Sequence, residues 1–171
     1  MNIVLKDFLV KSSIKFGTSG ARGLVTDFTS EVSCFFVQAF WQACGYGATV
    51  VIGHDLRPSS PEITRACVAF FRDIGVEVIY VGALPTPAIA LYAQLKKCPA
   101  IVVTGSHIPF DRNGLKFYSI SGEISKLDEV CILSQQLKMS SSVVLDDLPP
   151  VNQVAHKAYV KRYIDFFPTM R

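Results

Sequence analysis

Val102-Val103-Thr104-Gly105-Ser106-His107-Ile108-Pro109, followed by Asp111-Arg112-Asn113-Gly114-Leu115-Lys116, changes character abruptly in mid-run. β-Branched residues give way to small, turn-forming ones, the pattern of a buried strand delivering a serine to an exposed loop. Gly105 lets the backbone approach a ligand closely, and Pro109 stiffens the exit. Lys116 comes a short loop later, where a returning strand can aim its ammonium at the same space. A hydroxyl, an imidazole and a cation around one turn suit chemistry on an anion.

The flanking segments repeat the strand-to-loop theme. Ala48 to Gly53 reads as a parallel strand opening into His54-Asp55-Leu56-Arg57-Pro58. Ser59 or Ser60 then caps a helix, with Pro61 in its first turn and Glu62 as capping-box partner. Ile63, Ala66, Cys67, Phe70, Phe71 and Ile74 form its buried face, and Gly75 ends it. Val76 to Val81 is the next strand. Thr86 caps a helix that starts at Pro87 and runs to about Lys96, and Pro99 to Thr104 returns as the strand that carries the serine.

Upstream, Ser30 caps a helix with Val32, Phe35, Phe36, Ala39, Phe40 and Ala43 on one face, stopped by Gly45. Strand and helix alternate with short connections, which means a doubly wound α/β sheet. Ligands bind such sheets at the carboxyl ends of the strands. The loops at 53–58, 82–87 and 104–114 all leave from that edge, which gathers His54, Arg57, Ser106 and His107 on one rim. His54, Asp55 and Arg57 read as braces for the loops rather than as chemical groups.

The remaining stretches are less regular. Residues 1–13 are a lead-in strand or arm. Ile14 to Gly23 ends in a glycine-rich loop where backbone N–H groups around Thr18 and Ser19, with the Arg22 guanidinium, can meet an anion. It is neither a Walker loop nor G-x-G-x-x-G. Leu115 to Tyr118 and Gly122-Glu123-Ile124 form a hairpin or edge strands. A helix follows from Ser125, with Leu127, Val130, Leu133 and Leu137 inward. From Met139 the serines, acidic pair and Pro149-Pro150 read as a linker, and Val154 to Phe167 as one more amphipathic helix.

Composition narrows the function classes. The 171 residues are 50% hydrophobic and only 18% charged, where about a quarter is usual. That excess of apolar residues implies surface covered by something else, in a fragment of a larger protein or a tight oligomer. A net charge of +3, with Lys96-Lys97 and Lys161-Arg162 as isolated pairs, gives no case for nucleic acid. Five cysteines without a C-x-x-C pair read as reduced core thiols of a cytoplasmic protein. No targeting segment stands out. The uncharged run from Val32 to Gly53 holds a helix of roughly 21 Å, too short for a bilayer core of about 30 Å, so no membrane partner is expected.

The T-G-S-H-x-P string with the following N-G-x-K resembles the phosphoserine loop of the α-D-phosphohexomutases, the phosphomannomutase and phosphoglucomutase family. Phe16-Gly17-Thr18-Ser19-Gly20-Ala21-Arg22-Gly23 and Gly53-His54-Asp55-Leu56-Arg57-Pro58-Ser59-Ser60 resemble two further family stretches, in the same order. The resemblance implies a three-layer α/β/α sandwich with a mostly parallel, mixed sheet, of the family's domain I type. Residues 1–145 would form the N-terminal phosphoserine domain, and 146–171 a linker and the first helix of a truncated second domain.

It also implies a reaction. Family members interconvert hexose 1- and 6-phosphates through a phosphoserine, here Ser106, and a hexose 1,6-bisphosphate that turns around in the site. Arg22 and Lys116 match positions for charge stabilisation and proton relay. His107 donates to phosphate or positions the loop, Thr18, Ser19 and Asn113 bind phosphate, and Mg²⁺ bridges an oxygen on Ser106. The partners implied are a hexose phosphate and the missing C-terminal domains, with a homodimer left open. The family's acidic metal loop of the D-G-D-x-D-R type finds no match, so the chain alone is expected to lack turnover.

Two rival readings remain in view. A serine hydrolase needs G-x-S-x-G and a distant His and Asp, and the flanks of Ser106 are wrong for that. A non-catalytic sugar-phosphate-binding or interaction domain fits the short chain. Ile108 departs from the family pattern, which usually has Asn after the Ser-His pair, and leaves either a divergent substrate or reduced activity open.

Overall fold

A computed structural model describes residues 2–10, 12–17, 20–44, 47–138 and 144–167. In chain order its elements are β1 (Asn2–Val4), α1 (Leu5–Leu9), β2 (Lys15–Gly17), β3 (Gly20–Leu24), α2 (Ser30–Cys44), β4 (Thr49–His54), α3 (Ser60–Asp73), β5 (Glu77–Ala83), α4 (Thr86–Lys96), β6 (Ala100–Val103), β7 (Arg112–Ser119), β8 (Gly122–Glu123), α5 (Lys126–Leu133), β9 (Gln136–Lys138) and α6 (Val154–Phe166). A short 3₁₀ turn, Val25–Asp27, links β3 to α2.

The main sheet has the order β2-β3-β7-β6-β4-β5, with β8 paired to the end of β7. Strands β5, β4 and β6 are mutually parallel, so the loops after all three leave from one edge, as the alternation of strand and helix requires. On the other side of β6 the sheet turns antiparallel through β7, β3 and β2. It is thus mixed, in agreement with the fold class read from the sequence.

The β7–β8 hairpin is present, but β7 is not an edge strand. It lies between β3 and β6, and Leu115 and Phe117 are fully buried. Period-two alternation puts Leu115 and Phe117 on the same face. There Phe117 stacks against Phe40 of α2 at 4.7 Å between ring centroids and against Phe16 of β2 at 6.2 Å.

Two apolar layers flank the sheet. The larger holds Phe36 and Phe40 of α2, Phe71 of α3, and Ile52, Ile101, Val103, Leu115 and Phe117 from the strands. The smaller packs Ile89, Tyr92 and Ala93 of α4 and Ala155 of α6 on Val51, Val81, Ala100 and Val102. Consecutive strand residues face opposite layers, which is why these strands read as continuous apolar runs.

Helix boundaries follow local chemistry. Thr29, one residue earlier than Ser30, caps α2 by accepting from the Val32 amide at 3.3 Å. Ser125 caps α5 in a reciprocal box with Asp128, whose side chain accepts from the Ser125 amide at 2.7 Å. The inward face expected for that helix is out of phase, however. Leu127 and Val130 are exposed at 79% and 64%, and Ile132 is fully buried. Helix α5 ends at Leu133, so Leu137 cannot extend a helical stripe. It sits instead on β9, buried and paired with β1, and the short helix rotates to bury Ile132. Ile74, expected inside, lies just past α3 and is 46% exposed.

The Gly45 stop and the serines at 140–142 lie outside the described residues. Among the described residues no helix is long and apolar enough to cross a membrane.

Truncating Phe117 to alanine is expected to cost about 3–5 kcal/mol, while Leu127→Ala should change stability by less than about 0.5 kcal/mol. Urea denaturation midpoints of the two variants check this directly. Equal losses would mean that α5 buries the face read from the sequence.

Candidate functional site

Because β4 and β6 are neighbours in register, with His54 opposite Val103, the loops that leave them run side by side. The Asp55 amide extends the ladder by one bond, donating to Val103 O at 2.9 Å. Its carboxylate then reaches across. Oδ2 accepts from Thr104 Oγ1 at 2.9 Å and from the Gly105 amide at 3.0 Å. Oδ1 accepts from the Arg57 amide at 2.9 Å and Ser60 Oγ at 2.6 Å.

Burial alone would raise the Asp55 carboxyl, yet the bonds from Ser60, Arg57, Thr104 and Gly105 outweigh it and hold it below its ordinary value of 3.8. Hydrogen bonds to the charged form favour that form. Asp55 is therefore an anion used for construction, in line with its reading as a brace.

This use of Ser60 changes the start of α3. The expected capping box with Glu62 does not form. Ser60 Oγ donates to Asp55, and the hydroxyls of Ser59 and Ser60 accept from Asn113 Nδ2 at 2.8 and 3.0 Å. Asn113 Oδ1 takes the Gly114 amide at 2.8 Å. Asn113 is fully buried and its two donor bonds stay inside the protein. It ties the far end of the serine loop to α3.

Ser106 sits at the crest of this frame. Thr104 Oγ1, itself donating to Asp55, accepts from the Ser106 amide at 2.9 Å. That local turn brings Ser106 into the left-handed region, with φ +52°, a conformation a non-glycine residue adopts at some cost. The residue is exposed, and its Oγ lies 3.2 Å from His107 Nδ1. The serine and histidine of the motif thus stand together in solvent. His54 does not join them: it is 6% exposed, with Nδ1 2.7 Å from Asp55 O and Nε2 2.8 Å from the Tyr80 hydroxyl.

The two cations come from the antiparallel half of the sheet. Arg22 on β3 lies opposite Gly114 of β7, and Lys116 lies two residues further along β7, opposite Gly20. Residues directly opposite in a ladder, and those two apart, share a face, so Arg22 and Lys116 share one. It is the face away from Leu115 and Phe117. Gly114 is essential to this arrangement, since a Cβ there would lie 2.9 Å from Arg22 Cγ and 3.2 Å from Thr104 O.

The Thr104 amide bonds to Gly114 O at 2.9 Å, so only the bare Gly114 separates the Arg22 strand from the base of the serine loop. Lys116 is half-buried and paired with Glu123 Oε1 at 3.1 Å. Arg22 is partly exposed and forms no ion pair among the described residues. Thr18 and Ser19 lie outside the described residues.

Sequence reading had Asp55 and Arg57 as braces but missed Thr104 as the residue that bends the backbone at Ser106, and Glu123 as the counter-ion of Lys116. A threonine two residues before an exposed serine was the available signal for the first. Nothing local marked Glu123, which meets Lys116 only through the hairpin.

A fit for Mg²⁺ can be tested on the same residues. The ion prefers six oxygen ligands and is commonly held by one or two carboxylates plus phosphate. Among the described residues no group of three or more His, Cys, Asp or Glu could hold a metal, and the Asp55 carboxylate is already bonded to four donors. The described residues do not by themselves make a complete Mg²⁺ site.

Comparison with known proteins agrees with this fold. The phosphoglucomutase/phosphomannomutase α/β/α domain I family matches residues 13–139. The chain belongs to this family. It is 46% identical to a phosphomannomutase of Salmonella muenchen over 165 residues, which is 95% of this chain and 34% of that protein. It is 35% identical to a phosphoglucosamine mutase of Cupriavidus taiwanensis, covering 88% of this chain and 36% of the relative.

A solved structure from Thermus thermophilus, described as a phosphomannomutase, superposes with a TM-score of 0.72 at 25% identity. The match covers 89% of this chain and 36% of the other. The chain spans about a third of the length of these relatives.

Asp55→Asn tests the frame. A carboxyl held below its ordinary value contributes stability above that value and loses it as pH falls through the lowered one. Removing the charge leaves buried donors badly matched, a cost of about 1–3 kcal/mol. The gap in urea midpoint between wild type and Asp55→Asn should be constant from neutral pH to about pH 5 and close below about pH 4. A gap that persists unchanged at acid pH would remove Asp55 from this role.

Proposed function

We propose that the chain is the phosphoserine-bearing part of a phosphohexomutase, a protein that interconverts hexose 1- and 6-phosphates. The observation that carries this reading is the exposed Ser106 hydroxyl beside His107, on a family-matched loop held from beneath and flanked by a cationic sheet face. The neighbouring relatives are named phosphomannomutase and phosphoglucosamine mutase.

In the proposed step Ser106 Oγ attacks a phosphorus of a hexose 1,6-bisphosphate. The new Oγ–P bond forms as the sugar O–P bond breaks, and the serine proton ends on the sugar hydroxyl. In the full cycle the loaded serine first gives its phosphoryl group to the free hydroxyl of a hexose monophosphate. The bisphosphate then turns around, and Ser106 Oγ takes the phosphoryl group from the other position by the step just described. A phosphoryl group in flight spreads charge over its oxygens, so positioning and cationic stabilisation do most of the catalysis. Arg22 and Lys116 supply that stabilisation, and Lys116 the proton relay. His107 Nδ1, within reach of Oγ, moves or holds the hydroxyl proton. Thr18 and Ser19 offer backbone and hydroxyl donors to phosphate, and Asn113 acts through the loop it anchors.

Mg²⁺ completes the reading as the ion that neutralises charge on a phosphorylated Ser106. This chain would give it one oxygen there. The other ligands and the sugar-binding groups belong to the length of the relatives that this chain does not span. Residues 1–145 are read as the phosphoserine domain and 146–171 as the linker and the first helix of the next. On that division α6, whose Ala155 is buried against α4, is the seam. All five cysteines are unpaired, which supports a reducing, cytoplasmic setting.

Incubation of the chain with a hexose 1,6-bisphosphate and Mg²⁺ should add one phosphoryl group, placed on Ser106 by fragment mass spectrometry. Ser106→Ala should abolish it, and Arg22→Gln or Lys116→Gln should slow it about 100- to 1,000-fold. A wild-type chain that binds hexose phosphate tightly yet never carries phosphate would make it a non-catalytic sugar-phosphate-binding domain.

A further inference from the structure

Four backbone carbonyls of the serine loop converge on one guanidinium. Arg57 Nη1 donates to Pro109 O at 2.7 Å and Arg112 O at 2.8 Å. Nη2 donates to Ile108 O at 2.6 Å and, more weakly, to Ser106 O at 3.4 Å. The side chain is 15% exposed, and Nε lies 3.6 Å from Asp55 Oδ2. The planar group lies directly against Gly105, where a Cβ would be 2.2 Å from both Cζ and Nε. Gly105 is therefore required by the guanidinium, beyond any need of a ligand for space.

The polarity of the loop follows from this. A peptide carbonyl pulled one way turns its neighbouring amide the other way, because the peptide unit is planar and trans. The Gly105, Ser106, Ile108 and Arg112 amides are bonded within the frame. The His107 amide, next to the Ser106 carbonyl, has no such bond among the described residues. Without the guanidinium, several carbonyl oxygens would be free to turn toward the space in front of Ser106 Oγ and confront an incoming dianion.

We propose that Arg57 is a positioning residue for phosphoryl acceptance at Ser106. It gathers the negative ends of the loop dipoles beneath the loop, and the peptide that follows Ser106 is thereby turned so that the unbonded His107 amide can meet the phosphate. This rests on the reading of Ser106 as the phosphoryl carrier. The role calls for a planar fork of donors with a fixed charge. A lysine ammonium is a point charge and cannot span carbonyls on opposite sides of the loop.

The test measures single-turnover phosphoryl capture from a hexose 1,6-bisphosphate with Mg²⁺, alongside amide hydrogen exchange at 105–112. Arg57→Ala should slow capture about 100-fold, the scale of a small misplacement of reacting groups, and sub-denaturing guanidinium should restore part of it. Arg57→Lys should be slowed without rescue. Gly105→Ala, which keeps the charge but displaces the guanidinium, should resemble Arg57→Ala without responding to guanidinium. All three variants should leave the exchange of β4 and β6 amides unchanged and speed that of the loop.

Variants that stay folded and capture phosphate at the wild-type rate overturn the proposal. So does slowing that guanidinium does not relieve in Arg57→Ala, with exchange faster throughout the sheet, because that is the pattern of general destabilisation. If the wild type itself captures no phosphate, the functional reading falls. The clamp is then decided by exchange alone: faster loop exchange in Arg57→Lys supports it, and unchanged exchange ends it.

Discussion

Asp55 takes four hydrogen bonds from two loops that are far apart in sequence, and the rest of the site is built on that junction. Its position is set by the parallel pairing of β4 with β6. A parallel pair puts both carboxyl ends at one edge, so a short carboxylate just beyond one strand can receive the amide and hydroxyl just beyond the other. An antiparallel pair would separate those ends by the length of the strands. Partial burial makes the arrangement demanding, since a carboxylate or donor left unbonded here would lose solvation with no partner to replace it.

From the junction, constraint passes outward in one direction. Asp55 fixes Thr104, Thr104 bends the chain so that Ser106 has φ +52°, and Asn113 moors the return segment to α3 through Ser59 and Ser60. The exposed serine is consequently held from beneath by its own loop while its side chain stays open to solvent. Chemistry that alternately loads and unloads a side chain needs both properties. On the proposed reading the hydroxyl must be reachable by a bulky sugar phosphate, yet must not wander, since orientation contributes much of the rate in such reactions.

Much of this was legible in the sequence because it depends on local signals. Strand runs ending in glycine or polar residues, the 3.6-residue spacing of Phe36 and Phe40, and the T-G-S-H-x-P turn each act within a few positions. What escaped depends on contacts between distant segments. Period-two alternation in β7 is the same for an edge or an interior strand, and only its partners β3 and β6 settle which it is. Helix α5 is too short for its stripe to fix its own rotation, so the core chose Ile132 over Leu127. Asn113 looks like a ligand-binding amide in a turn until α3 supplies the hydroxyls that occupy it. Arg57 lies between the two cases: its motif was visible, but the four carbonyls it gathers come from residues 106–112.

The asymmetry of the two faces completes the picture. On one side the sheet is covered by an aromatic layer under α2 and α3, while on the other α4 packs on β4 and β6, and α6 packs on α4. Beyond β6 on that second side, Lys15, Arg22 and Lys116 share the face, with Gly17, Gly20 and Gly114 contributing no side chain to cover it. Lys15 and Arg22 stand directly across from each other, an arrangement that is unfavourable for like charges on a sheet. An anion drawn to this face would relieve the repulsion, and the serine loop opens beside it. The sheet is thus covered by helices on both faces of its parallel half, while beyond β6 the second face carries cations beside the serine loop.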